Sequence, residues 1–140
     1  MVDERRVRRL LQRVSEDLAY LTRRAQEDPA TQLGDVERMA ALKYVFVTAI
    51  EGCLDTAQHL CASEGWGPPA SNAEAFRLMA RHGVVPGELA EAMAAAVGFR
   101  NVLVHGYVDV DDRRVVAFLD RVGQLEEYVS VVSGWVGRQT

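Results

Sequence analysis

The thirty residues VERMAALKYVFVTAIEGCLDTAQHLCASEG, from Val36 to Gly65, contain no proline, and their apolar members cover more than half of a helical circumference. A helix that apolar must be buried on several sides, so the rest of the chain has to pack around it. Its polar exceptions, Lys43, Glu51, Asp55 and His59, recur at multiples of four and trace one slowly drifting stripe. Two readings of the stripe stand. It is either a solvated face with an ordinary Glu51/Asp55 pair at its centre, or the wall of a functional cleft.

The flanking segments supply the partners. Val7, Leu10, Leu11, Val14, Leu18, Leu21 and Ala25 are spaced for an amphipathic helix over roughly residues 3 to 27. EDPATQLGD breaks it, with Pro29 and Gly34 as punctuation and Asp35 as the N-cap of the long helix. GWGPPASN ends the long helix, and Ser71 or Asn72 caps a short helix through AEAFRLMARHG that Gly83 closes. Pro86 opens a fourth helix that runs through VLVH and ends near Gly106; Gly87 and Gly98 weaken it locally, where close approach of another helix is expected. VLVHGYVDV alternates enough for a β-run, but its position downstream of a strong helical pattern favours helix. After the polar VDVDDRR, the residues Val115, Val116, Phe118, Leu119, Val122, Leu125, Val129, Val132 and Val136 trace a final amphipathic helix. The expectation is an all-α antiparallel bundle of four main helices plus one short one, forming a single domain over residues 1–140.

That length suits one core. A net charge of −4 argues against a protein that coats nucleic acid by bulk electrostatics, yet Arg5, Arg6, Arg8, Arg9 and Arg13 concentrate positive charge at one end. They read as a solvated helix face before a binding patch. Cys53 and Cys61 fall in one helix about 12 Å apart along its axis, too far for a disulfide, and are expected to be reduced, buried thiols. No apolar run approaches the length of a membrane span and the Arg-rich start lacks a signal-peptide core, so the expected location is the cytoplasm.

The densest local chemistry is FRNVLVHGY, residues 99 to 107. On an ideal helix Arg100 and Tyr107 point nearly the same way, about 10.5 Å apart along the axis, and Asn101 and His105 share a side. His105 lies about 140° from Arg100, so gathering Arg, His and Tyr into one cluster requires a departure from helical geometry, for which Gly106 is placed. Singly, each residue has a plain role: Arg100 binding helix-end carbonyls, His105 a core histidine, Tyr107 a core aromatic.

Together they resemble the R-x4-H-x-Y motif of the HEPN superfamily, specifically the HepT-type RNase toxins paired with MNT nucleotidyltransferase antitoxins, with Arg100, His105 and Tyr107 at the three fixed positions. The resemblance extends from about Met39 to about Val132. AIEGCLDTAQHL is similar to the family's long second helix with its acidic positions near Glu51 and Asp55, and GPPASNAEAFRLMARHGVVPGELAEAM to its loop, short helix and lead into the motif helix. Lys43 departs from the arginine of many members. The first thirty residues contribute little.

The resemblance implies a HEPN-type fold and metal-independent cleavage of RNA, tRNA or mRNA, through Arg100 and His105. Asn101, Tyr107, Glu51 and Asp55 would bind substrate or support the site. It also implies a homodimer whose two motifs face one another, and silencing by an MNT partner that transfers AMP to Tyr107. The residue chemistry agrees: histidine suits proton transfer near neutral pH, and arginine offers phosphate a permanent charge and a fork of donors. The sequence has neither close Cys/His spacing of the zinc type nor a glycine-rich phosphate loop, so no metal or cofactor is expected. The competing reading is a non-catalytic HEPN module that binds nucleotide or the nucleotidyltransferase.

Overall fold

A computed structural model describes residues 2–106 and 110–139, and among them every regular element is helical. In chain order these are α1 (Glu4–Ala25), α2 (Pro29–Leu33), α3 (Val36–Ser63), α4 (Asn72–Arg81), α5 (Gly87–His105), α6 (Asp112–Ala117), a 3₁₀ turn (Phe118–Arg121) and α7 (Val122–Gly137). The long apolar helix α3 stands at the centre, packed against α1, α2, α4, α5, α6 and α7. Phe46, Ile50, Cys53, Ala57 and Leu60 on α3 are completely buried, as its apolar circumference requires.

Local chemistry sets the boundaries. Asp3, Asp28, Ser71 and Asp111 each accept a hydrogen bond from one backbone N–H in the first turn that follows, and Asp35 accepts from two, so these orphan donors are satisfied. α3 and α4 end alike. Gly65 (φ +69°) and Gly83 (φ +75°) take the left-handed conformation that closes a Schellman cap, with Trp66 N–H on Cys61 C=O at 3.0 Å and Val84 N–H on Met79 C=O at 2.9 Å. The two ends then meet, since the Trp66 and His82 rings stack 4.5 Å apart.

α1 runs antiparallel to α3. Asp3 backbone N–H donates to His59 Nε2 at 3.2 Å near one end, and Thr48 Oγ1 donates to Asp17 Oδ2 at 2.7 Å towards the other. Between them Gly52 faces Val14, and a Cβ built on Gly52 would overlap the Val14 Cγ2 methyl. The close helix approach therefore falls at Gly52. Gly87 and Gly98, where it was expected, have no neighbouring atom within reach of a Cβ.

Two further elements differ from the sequence expectation. Pro29 begins α2 rather than merely breaking the chain, with Asp28 as its cap, and the short helix buries Gln32 completely while Gln32 Nε2 donates to Glu27 Oε1 at 3.0 Å. The final helix is divided into α6, the 3₁₀ turn and α7; Phe118, at the division, stacks on Phe99 at 3.9 Å and meets Phe46 edge-on. Among the described residues the count is thus four long helices, α4, and two short helices with a 3₁₀ turn. On α7 Tyr128, with Val132 and Val136, is completely buried while Val129 is only partly so, and the Tyr128 hydroxyl lies 2.6 Å from Thr56 Oγ1 and donates to the Cys53 carbonyl at 3.1 Å. Cys53 and Cys61 are both buried and free, and burial pushes both thiols up. Among the described residues no helix is long and apolar enough to cross a membrane.

Candidate functional site

α5 carries the motif and remains helical through His105, so VLVH is helix rather than strand. Helical geometry then divides the motif. Arg100 turns inward to α3: its Nε and Nη2 both donate to Glu51 Oε1, at 3.2 and 2.9 Å, and its Nη1 donates to Asn101 Oδ1 at 2.9 Å. Arg100 is largely covered and Glu51 about two-fifths exposed. Asn101 and His105, one turn apart, are exposed together on the neighbouring face, and the His105 imidazole makes no hydrogen bond to another described residue.

The departure from helical geometry that a single cluster of Arg, His and Tyr needs does not fall before Gly106, because α5 is helical through His105. Gly106 has φ −101°, which other residues also adopt; what requires glycine is space, since a Cβ there would come 2.8 Å from the Val102 carbonyl oxygen. Tyr107 lies outside the described residues.

The α3 stripe resolves into three parts. Lys43 Nζ ties α3 to α6 through Asp112 Oδ1 at 2.9 Å, and His59 ties it to the start of α1. Only the centre faces the motif. Glu51 holds Arg100, and Asp55, one turn on, is exposed with its carboxyl held above the usual range by desolvation and by the Glu51 charge, against the pull of Arg6 and Arg100. Burial and the Arg6 charge push His59 below its ordinary value, consistent with a neutral Nε2 that accepts the Asp3 N–H.

Beside Glu51 a pocket of about 150 Å³ opens at the α1–α3 seam, lined by Leu10, Arg13, Val14, Asp17, Thr48, Glu51, Gly52 and Asp55. Burial raises the Asp17 carboxyl, which the Thr48 hydrogen bond and the Arg13 charge partly offset. Sequence reading did not connect Arg13, Asp17, Thr48 or Gly52 to the motif. The available signal was the i, i+4 pair Arg13/Asp17 on α1, which is unremarkable without knowing that α1 lies along α3. No group of three His, Cys, Asp or Glu among the described residues is placed to hold a metal ion.

With this geometry in place, residues 5–132 match the model of the Ribonuclease HepT-like family. The chain belongs to that family. The match begins at residue 5, so α1 is part of the family pattern although the motif-based resemblance started only near Met39. A curated relative from Shewanella oneidensis, named mRNA nuclease HepT, is 28% identical over 83 residues, which span 59% of this HepT-like chain and 62% of that relative's length. A second, from Aphanizomenon flos-aquae and named tRNA nuclease HepT, is 26% identical over 105 residues, 74% of this chain and 71% of the relative. Among solved structures, a tri-AMPylated HEPN toxin of Shewanella oneidensis in complex with an MNT antitoxin superposes with a TM-score of 0.84 at 20% identity, covering 96% of this chain and 99% of that one. The superposition shows that the helical bundle is of the HEPN type.

Proposed function

We propose that this HepT-like chain is a metal-independent endoribonuclease of the toxin class, acting through Arg100 and His105 at a homodimer cleft in the cytoplasm. The observation that carries the reading is the state of Arg100. A guanidinium has five N–H donors; Glu51 takes two and Asn101 takes one, which leaves one N–H on each terminal nitrogen. Those two form a fork, held by α3, that fits two oxygens of a phosphate.

The chemistry follows from the groups. A base removes the proton of the RNA 2′-hydroxyl, the 2′-oxygen forms a bond to phosphorus, and the bond from phosphorus to the 5′-oxygen breaks as an acid protonates it. The products are a 2′,3′-cyclic phosphate and a 5′-hydroxyl. His105 is the proton-transfer group on the exposed face, and Arg100 stabilises the charge that builds on the phosphate. Asn101 presents its amide donors beside His105.

Where the 2′-hydroxyl loses its proton as the 5′-oxygen gains one, base and acid are separate groups, and a second copy would supply the other. Val36 at 86% and Tyr44 at 70% are exposed on α3, the helix that carries Glu51, and Gly98 is exposed on the His105 side of α5; these surfaces support burial against a twin. Facing copies would bring Arg100 and His105 together across the cleft where one chain holds them apart. A nucleotidyltransferase partner of the MNT class would silence the site by transferring AMP to Tyr107, adding a bulky anion to the motif.

Analysis of the RNA ends tests the reading. Cleavage by the purified chain should yield 2′,3′-cyclic phosphate and 5′-hydroxyl ends, and Arg100→Ala should lose it. Products ending in 3′-hydroxyl and 5′-phosphate would contradict attack by the 2′-oxygen. A chain that binds nucleotide or the antitoxin yet leaves RNA intact would be the non-catalytic module.

A further inference from the structure

The arginines at the start of α1 do not distribute evenly around the helix. At 100° per residue, Arg6, Arg9 and Arg13 fall within an arc of about 60°, each roughly a turn from the next, whereas Arg8 lies on another side. Arg8 is engaged there, with Glu4 Oε1 at 3.1 Å and Ser133 Oγ at 3.3 Å. Arg6, Arg9 and Arg13 are exposed, and none pairs with a carboxylate among the described residues.

Arg6 and Arg13 sit beside the α3 stripe, Arg6 acting on Asp55 and His59, and Arg9 lies between them along the helix axis on the same arc. Arg13 lines the seam pocket together with Glu51 and Asp55, and Glu51 is the residue that holds Arg100. The Asp3–His59 hydrogen bond fixes the first turn of α1 against α3 at the far end of the same stripe, beside Arg6. The arginines are therefore not a detached basic tail. They continue the surface that begins at the Arg100 fork, leading away from it along α1.

We propose that Arg6, Arg9 and Arg13 form a phosphate-binding ramp for the RNA strand flanking the cleavage position, continuous with Arg100 across the pocket at the α1–α3 seam. This rests on the endoribonuclease reading above and extends it to how substrate is held. Three guanidiniums about a turn apart on one helix face present a row of charge-assisted donors to successive phosphates, and a backbone contact of this kind carries affinity without sequence preference. It also reconciles RNA as substrate with the chain's net charge of −4, because the positive charge needed is local. An acidic protein face is the alternative occupant of such a row; its location beside the phosphate fork favours RNA.

The test uses the full chain carrying the triple change R6Q/R9Q/R13Q, compared with a matched triple R23Q/R121Q/R138Q that removes the same charge from exposed sites elsewhere. Binding of a single-stranded RNA oligonucleotide is measured across a salt series in a His105→Ala background, and cleavage kinetics with His105 intact. The ramp triple should lower the salt dependence, the slope of log K against log salt, by about 2, at roughly 0.7 per lost contact on a single strand. It should raise KM on the order of tenfold with kcat little changed, and the matched triple should do neither. If the parent cleaves RNA while the ramp triple keeps the parent's slope and KM, or loses only association with an acidic protein partner, the ramp is overturned and the endoribonuclease stands. If the parent neither binds nor cleaves RNA, the endoribonuclease reading falls and the ramp with it.

Discussion

Arg100 of α5 places two donors, Nε and Nη2, on the same carboxylate oxygen of Glu51 on α3, at 3.2 and 2.9 Å. This pairing fixes the direction of the guanidinium while leaving one N–H on each of Nη1 and Nη2 unused, so in the proposed mechanism Glu51 is a positioning residue for the phosphate fork.

Replacing Glu51 with Ala should therefore lower cleavage on the order of tenfold, because the misplaced fork costs transition-state stabilisation. Glu51→Gln, which keeps an acceptor for Arg100, should recover much of the loss. Because the carboxylate is two-fifths exposed, the pair itself contributes about 1 kcal/mol or less to stability. Steady-state kinetics together with urea unfolding of both variants checks this: a Glu51→Ala protein with undiminished kcat would show that Arg100 needs no partner.

Asp55 gives a prediction in pH. Its folded-state carboxyl is raised above 3.8, first by desolvation and then by the Glu51 charge, so the folded protein binds the proton more tightly than the unfolded chain. The ionised side chain thus opposes folding at neutral pH, and the opposition fades as pH falls through the folded value and is gone below 3.8. Asp55→Asn should raise the unfolding midpoint at pH 7 and make no difference near pH 3. A gain that persisted unchanged at pH 3 would trace to packing rather than to charge.

The helical glycines Gly52 and Gly98 should respond with opposite signs. Gly52→Ala drives a methyl into Val14, a fully buried β-branched residue with little rotamer freedom, and should destabilise by about 1–3 kcal/mol. Gly98→Ala meets open space within one chain and should gain about 0.5–1 kcal/mol from helix propensity in the monomer. Chemical denaturation at low protein concentration measures both. A loss at Gly98 that grows with protein concentration would place a second copy against that face.

Much of the bundle was legible because its signals are local. The caps Asp35 and Ser71, the closing Gly83 and the apolar spacing of α1 and α3 all act within a turn or two of where they sit. α2 escaped because five residues are too few to show a period, although Asp28–Pro29 is a sound helix start. The division of the last helix depends on Phe118 finding Phe99, and the close approach at Gly52 on α1 lying across α3; neither is written in the flanking residues. The site divides in the same way. The motif residues Arg100, Asn101 and His105 and the acids Glu51 and Asp55 could be picked out by type and spacing. That Glu51, rather than helix-end carbonyls, holds Arg100 depends on which face of α3 meets α5, a tertiary fact.

The most direct measurement is cleavage of total RNA and transfer RNA by the purified chain in EDTA, with His105→Ala prepared in parallel and Tyr107 confirmed unmodified by mass. Cleavage by the parent, undiminished by the chelator, is expected, and none by His105→Ala with its helical fold intact. Equal cleavage by both proteins, or none by either, would contradict the proposed mechanism.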